Sequence, residues 1–327
     1  MKKNRMFTIC TRTEHSGEAK KNILQLVHAD LCGPIAPQSN SGKRYFLSLI
    51  DDFSRKGWIY LLTYKSKALD HFKVFKSMVE KETDIKLKCF RTDRGGEFNY
   101  AEFNKFIKEH GIRRQLTNAY TPQQNGVAER RNRTILNMVR SLLAAKKMPK
   151  IFWPEVVVWT CHILNRCPTL SVKDVTIQEA WSSVKPSVDH LRVWGCLAHT
   201  HVPKQSRDKL DKRSVIFIFL GVCSNTKGYR LYNIETKKVL ISRDVIFEEY
   251  KHWEWGTDHK HQIEDELECE GQAAEPAQVQ NEDDQPGDHQ PEEHVSNDGS
   301  NGGNTTESNE SVEDLSILLR LKAFSSV

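Results

Sequence analysis

Asp30, Asp93 and Glu129 are the carboxylates in this sequence whose placement could do chemistry. Asp30 closes the apolar run ILQLVHAD (23–30), and Asp93 closes IKLKCFRTD (85–93). Glu129 falls in the first turns of a helix that begins within TPQQNGVAERRNRT (121–134). Strand ends of an open α/β sheet share an edge, and ligands bind there. A catalytic Mg2+ takes oxygen ligands, few of them from protein, with water and phosphate completing the octahedron. Three carboxylates on one edge can hold two such ions about 4 Å apart, the arrangement that serves in-line displacement at a phosphodiester. Spacing alone selects nothing here, because the chain has 43 Asp and Glu. Local context does more. Two glycines follow Asp93 in TDRGGEF, where the chain can turn sharply and a backbone can approach closely.

The helix carrying Glu129 is strongly basic. At ~100° per residue, Glu129, Asn132, Arg133, Leu136 and Arg140 share one face, while Ala128, Ile135, Met138, Val139 and Leu142 share another that should pack on the sheet. Arg130, Asn132, Arg133 and Arg140 are therefore candidate nucleic-acid contacts, and Arg131 crowds the same turn; phosphate contacts position a duplex. The bland alternative is a solvated Glu–Arg pair one turn apart, worth a few tenths of a kcal/mol.

Elements that could position these groups can be read along the chain. Strands are expected at 23–30, 44–51, 57–64, 85–93 and 112–117, with the second and third forming a hairpin. Helices are expected at 66–82, at 100–111 (stopped by Gly111) and from about 123 to 146. This makes one α/β layer with an antiparallel hairpin in its sheet. A helical pair follows (151–167 and 176–182), then closely spaced strands from about 191 that suggest a small β-barrel. Asp51 and Asp52 read as turn-capping residues and Glu97 as a loop or N-cap acid. The pairs His199/His201 and His259/His261 read as ordinary surface or strand histidines, and Trp153, Trp159, Trp181 and Trp194 as core or interface anchors.

Charge divides the molecule. Net charge is +5 overall, yet residues 257–314 hold 18 Asp and Glu against Lys260 alone, a net of −17. Residues 315–327 add two positive charges, so the first 256 residues carry +20. A body that basic suits a polyanion such as nucleic acid. The acidic stretch is too poor in apolar residues to offset ordering entropy and is expected to be disordered. None of the eight cysteines forms a C-x-x-C pair, so no zinc ribbon or knuckle is expected and the thiols should be free. No apolar run reaches the ~20 residues of a membrane helix.

The segments LVHADLCGP, YFLSLIDDFSRKGWIYLLTYKS, RTDRGGEF, GIRRQLTNAYTPQQNGVAERRNRTI, FWPEVVVWTCHILNRCPT, KPSVDHLRVWGCLAHTHVP, KLDKRS and KGYRLYN resemble, in order, the integrase region of copia-type LTR retrotransposon polyproteins. The resemblance spans about residues 20–250. It implies a ribonuclease H-like catalytic core over 21–146, a helical extension over 147–190 and a Src-homology-3-like barrel over 191–250. Residues 251–327 would be the disordered acidic linker and an unassigned end, and 1–20 a linker following a zinc-binding domain that is not in this sequence. It further implies a D,D(35)E centre, with Asp30 bridging two Mg2+ or Mn2+ ions and Asp93 and Glu129 each holding one, and no zinc in this fragment. Expected partners are double-stranded DNA, as element ends and target, and further copies of the chain, without a membrane. The expected location is the nucleus for a functional protein and otherwise the cytoplasm. The expected activity is 3′-end processing and strand transfer. A catalytically silent nucleic-acid-binding remnant and a stand-alone ribonuclease H-like nuclease are the alternatives.

Overall fold

The computed structural model describes residues 22–93, 95, 98, 100–116, 125–201 and 213–256. Glu97, residues 117–124, the pair His259/His261 and the acidic stretch lie outside the described residues.

The first sheet contains β1 (Val27–Cys32), β2 (Tyr45–Asp51), β3 (Gly57–Leu62), β4 (Cys89–Thr92) and β5 (Arg113–Leu116), in the order β3-β2-β1-β4-β5. β1, β2 and β3 are antiparallel neighbours, whereas β4 runs parallel to β1 and β5 parallel to β4. This mixed order, with helices on both faces, is the ribonuclease H-like arrangement of integrase catalytic cores.

One face of the sheet is covered by α1 (Ala68–Thr83) and α2 (Ala101–Glu109). Phe72, Phe90 and Phe103 meet there with ring centroids 4.3–5.8 Å apart, joined by Val27, Ala29, Leu47 and Leu49. The opposite face receives α3 (Gly126–Ala145) and α4 (Trp153–Leu164). Strand residues alternate between faces. With Val27 and Ala29 in the α1/α2 core, His28 and Asp30 turn toward α3.

The boundaries of β1 and β4 differ from the sequence pattern, and particular hydrogen bonds set where each begins. Leu24 takes a positive φ of 57° and donates its N–H to Asp51 Oδ1 at 2.8 Å, so β1 starts late. It also continues past Asp30, which lies inside the strand rather than at its end. Residues 85–88 are not strand: the Leu87 N–H goes to Glu80 Oε1 and the Lys88 N–H to the Leu24 carbonyl.

After α4 comes a short hairpin that hydrophobic patterning missed, β6 (Pro168–Thr169) with β7 (Val172–Thr176). It leads into α5 (Ile177–Ser182), which opens with a capping box between Thr176 and Glu179. The expected barrel takes the form of a five-stranded antiparallel sheet. Its strands are β8 (Cys196–His201), β9 (Ser214–Val222), β10 (Tyr229–Tyr232), β11 (Val239–Ser242) and β12 (Val245–His252), in the order β11-β10-β9-β8-β12. β11 and β12, only two residues apart in the chain, thus lie on opposite edges of the sheet. A single apolar cluster joins this sheet to the first layer, running from Ile135 and Val139 on α3 through Trp153 and Val156 on α4 to Trp194, Phe217 and Phe219. Trp153, Trp159, Trp181 and Trp194 are all buried.

Candidate active site

Strand register brings the first two carboxylates together. β1 and β4 pair in parallel as Val27 with Phe90 and His28 with Arg91. The pairing stops there, and Asp93 follows directly on β4, near enough for its charge to act on Asp30. Just past β4, Asp93 Oδ1 accepts the Gly95 N–H at 3.0 Å, so the first glycine of TDRGGEF holds the carboxylate. Glu129 stands exposed in the first turn of α3.

Asp30 feels both neighbours. Its carboxyl is pushed up from 3.8 to about 6, mostly by burial, then by the charge of Asp93 and, more weakly, Glu129. Two hydrogen bonds oppose this: Asn132 Nδ2 donates to Asp30 Oδ2 at 2.8 Å, and the Leu31 backbone N–H contributes more weakly. Among the described residues, no group of three or more His, Cys, Asp and Glu side chains is placed so that it could hold a metal ion. Asp93 and Glu129 are nevertheless near enough to Asp30 for their charges to act on it. Such a donor set fits a hard divalent cation: all oxygen, few protein ligands, and a repulsion that a cation relieves.

The helix-wheel reading of α3 needs one change. Arg130, Arg133 and Arg140 are exposed, as expected of the outer face. Asn132, grouped with them by angle, is only 5% exposed and belongs to the packed side of the helix. Its Oδ1 is buried without a hydrogen-bond partner. The wheel gives angles but not the height of the sheet, and β1 extends far enough to meet this residue. Arg131 also turns inward, donating from Nη2 to Asn165 Oδ1 at 3.1 Å. Asn125, the N-cap of α3, was missed by sequence reasoning. It is 1% exposed, and neither its amide oxygen nor its amide nitrogen has a partner among the described residues; the Asn-Gly pair reads equally well as a plain turn.

Residues set aside as structural occupy structural positions. Asp51 caps its turn, accepting the Ser54 N–H at 2.8 Å and the Ser54 hydroxyl at 2.7 Å. Asp52 pairs with His28 at 3.0 Å and Arg55 at 3.2 Å. His199 pairs with Glu248 across β8 and β12 at 3.0 Å. The six described cysteines are free thiols, and no described helix is long and apolar enough to cross a membrane.

Residues 22–122 match the integrase core domain family, and residues 196–262 match the retroviral polymerase SH3-like domain family. The first match contains Asp30 and Asp93 and stops short of Glu129. The retrovirus-related Pol polyprotein from transposon TNT 1-94 of Nicotiana tabacum is 46% identical over 234 residues, which are 72% of this chain and 18% of that polyprotein. The Pol polyprotein from transposon RE1 of Arabidopsis thaliana is 30% identical over 69% of this chain and 15% of its own length. The transposon Ty1-DR6 Gag-Pol polyprotein of Saccharomyces cerevisiae is 25% identical over 68% of this chain and 13% of its own length. The chain thus spans less than a fifth of the curated relatives it matches. Among solved structures, the HTLV-2 integrase catalytic core domain in complex with magnesium overlaps 49% of this chain and 97% of its own, with 18% identity and a TM-score of 0.37. The fold assignment rests on strand order and the family matches rather than on that overlap. The chain belongs to the integrase region of copia-type retrotransposon Pol polyproteins, an integrase core domain followed by a retroviral SH3-like domain.

Proposed function

We propose that Asp30, Asp93 and Glu129 form the metal-binding centre of an integrase that processes 3′ ends of element DNA and joins them to target DNA. The observation that carries this reading is the Asp30 carboxyl, half-buried in the central strand, held by Asn132 and raised to about 6 in part by the charges of Asp93 and Glu129. Clustering of like charges costs stability, and active sites are where such perturbed groups concentrate. Two Mg2+ or Mn2+ ions, when bound, supply activation of the attacking oxygen and stabilisation of the leaving oxygen.

The chain's own groups prepare that site. Asn132 holds one oxygen of Asp30 from the side of α3. The Gly95 N–H fixes one oxygen of Asp93. Glu129 projects from the exposed side of α3 and can complete the ligand set when DNA arrives. Arg130, Arg133 and Arg140 offer cations to the phosphates of a duplex, and the net +20 of the first 256 residues provides the long-range attraction. The partners in this reading are double-stranded DNA and further copies of the chain.

The test is a duplex end labelled at its 3′ strand, incubated with target DNA and Mg2+. Wild type should trim and join the end, and Glu129→Gln should lose about 100-fold or more of both reactions while retaining DNA binding. DNA binding without trimming or joining by wild type would leave only a nucleic-acid-binding module.

A further inference from the structure

We propose that Arg131 and Asn165 are positioning residues that hold Glu129 in place, through a closed ring of contacts linking α3, α4 and three strands of the sheet. The inference rests on the reading of Glu129 as a metal ligand.

The ring begins at Gly57, the first residue of the edge strand β3. Asn165, the C-cap of α4, pairs with the Gly57 peptide at two points. Its Oδ1 accepts the Gly57 N–H at 3.0 Å, and its Nδ2 donates to the Gly57 carbonyl at 2.8 Å. The pairing imitates a further strand on the open edge of the sheet. Asn165 is 8% exposed, so these bonds are made away from water. Its Oδ1 accepts a second donor, Arg131 Nη2, at 3.1 Å. From Arg131 the chain passes to Asn132, which donates to Asp30 on β1. β1 pairs with β2 and β2 with β3, where Ile50 lies opposite Gly57. The ring is thereby closed.

Arg131 is a costly choice for a fastener. Among the described residues no carboxylate pairs with it and its Nε is buried without a geometric hydrogen-bond partner; the neutral Cys161 thiol, whose pKa burial raises, is its other neighbour. Its guanidinium packs so near the strand that a Cβ on Gly57 would meet Nη2 at 3.4 Å. A purely stabilising contact at this position is more cheaply made by an apolar side chain, since burying an unpaired charge is unfavourable. What the ring gives is rotational control of α3. Asn132 holds one side of the helix to β1, and Arg131, the preceding residue and about 100° away around the axis, holds another to Asn165. Side chains extend to a radius of about 5–6 Å, so a turn of about 10° around the axis moves a carboxyl by about 1 Å. A misplacement of that size costs about 100-fold in rate. Glu129 is two residues from one fastening and three from the other, so it moves with them.

The test uses the full chain with four variants: Arg131→Met, Arg131→Lys, Asn165→Ala and Arg131→Met/Asn165→Ala. Metal-free melting temperature, the Mg2+ concentration giving half of the metal-induced melting shift, and strand transfer are measured for each. Arg131→Met should remain folded, raise that Mg2+ concentration several-fold, and slow strand transfer by about 10- to 100-fold. Arg131→Lys keeps a donor but not the fork and should recover part of both losses. In the Asn165→Ala background, Arg131→Met should add little, because the bond it removes is already gone. Unchanged Mg2+ half-saturation and rate in Arg131→Met, whatever its melting temperature, would overturn the proposal, as would additive losses in the double variant. Glu129→Gln, measured alongside, separates the two readings. If it leaves the Mg2+ response intact, the assignment of Glu129 fails and the positioning role fails with it. If it abolishes the response, the Arg131 and Asn165 variants judge the ring alone.

Discussion

Asp30 shows what residue-level chemistry the sequence could and could not reveal. Its carboxylate type, and those of Asp93 and Glu129, were readable as candidate ligands. That Asp30 is half-buried within a strand, with Asn132 on one of its oxygens, depends on how far β1 extends and on which side of α3 meets it. Neither is a local property. The elevated Asp30 carboxyl carries a stability consequence with a definite sign. Its folded value, about 6, is above its ordinary 3.8, so the folded chain binds this proton more tightly than the unfolded chain. Stability from this group is present in full below about pH 4 and is lost as pH rises through about 6. In metal-free buffer at pH 8, Asp30→Asn should therefore be more stable than wild type by about 2–3 kcal/mol in denaturant unfolding, with the gap closing at pH 4. Mg2+ should stabilise wild type and not the variant. A gap of the same size at both pH values would mean that Asp30 is not charged against its surroundings.

At the scale of elements, periodicity located the helices well because each has one apolar face committed to the sheet. Phe72 and Phe75 on α1 and Phe103 on α2 mark those faces, and all three are fully buried. Phe72→Ala should cost about 3–5 kcal/mol, measurable as a shift in the denaturant midpoint, because the ring contacts Phe75, Phe90 and Phe103 and the aromatic cluster cannot collapse around so large a loss. A cost below about 1 kcal/mol would mean that the cluster repacks freely. Strand boundaries were less legible, since they are set by long-range bonds such as Leu24 N–H to Asp51. The β6–β7 hairpin was invisible because β6 has only two residues and most of the hairpin is exposed or half-buried, leaving no alternation to detect. At the turn after β1, Gly33 has φ +129°, and a Cβ there would lie 2.6 Å from the Arg44 carbonyl. Gly33→Ala should destabilise the loop joining β1 to β2 by about 1–3 kcal/mol; an unchanged midpoint would show that the loop can shift without loss.

Over the whole molecule, the uneven charge was fully legible, because counting residues needs no fold. The continuous core joining α3 and α4 to the second sheet was not, since pattern reading treats each segment separately and cannot say which faces meet. The excess positive charge should make duplex binding steeply salt-dependent. Arg133→Ala and Arg140→Ala should each weaken binding across sequences and reduce the slope of log affinity against log salt by about 0.9, one phosphate's share. Unchanged slopes in both would leave these arginines as solvated surface. Residues 257–314, with net charge −17, are a tethered polyanion at a local concentration of about millimolar. A chain ending at Gly256 should bind duplex DNA more tightly than the full chain at low salt, and the difference should vanish as the Debye length shortens. Equal affinity at low salt would leave the acidic stretch a spacer.

The metal centre is most directly tested by anomalous diffraction from crystals soaked in Mn2+. The proposed function predicts two peaks about 4 Å apart, enclosed by the carboxyls of Asp30, Asp93 and Glu129, with Asp30 touching both. An empty site under saturating Mn2+, or peaks held by carboxylates elsewhere while Glu129 faces away from Asp30, would contradict it.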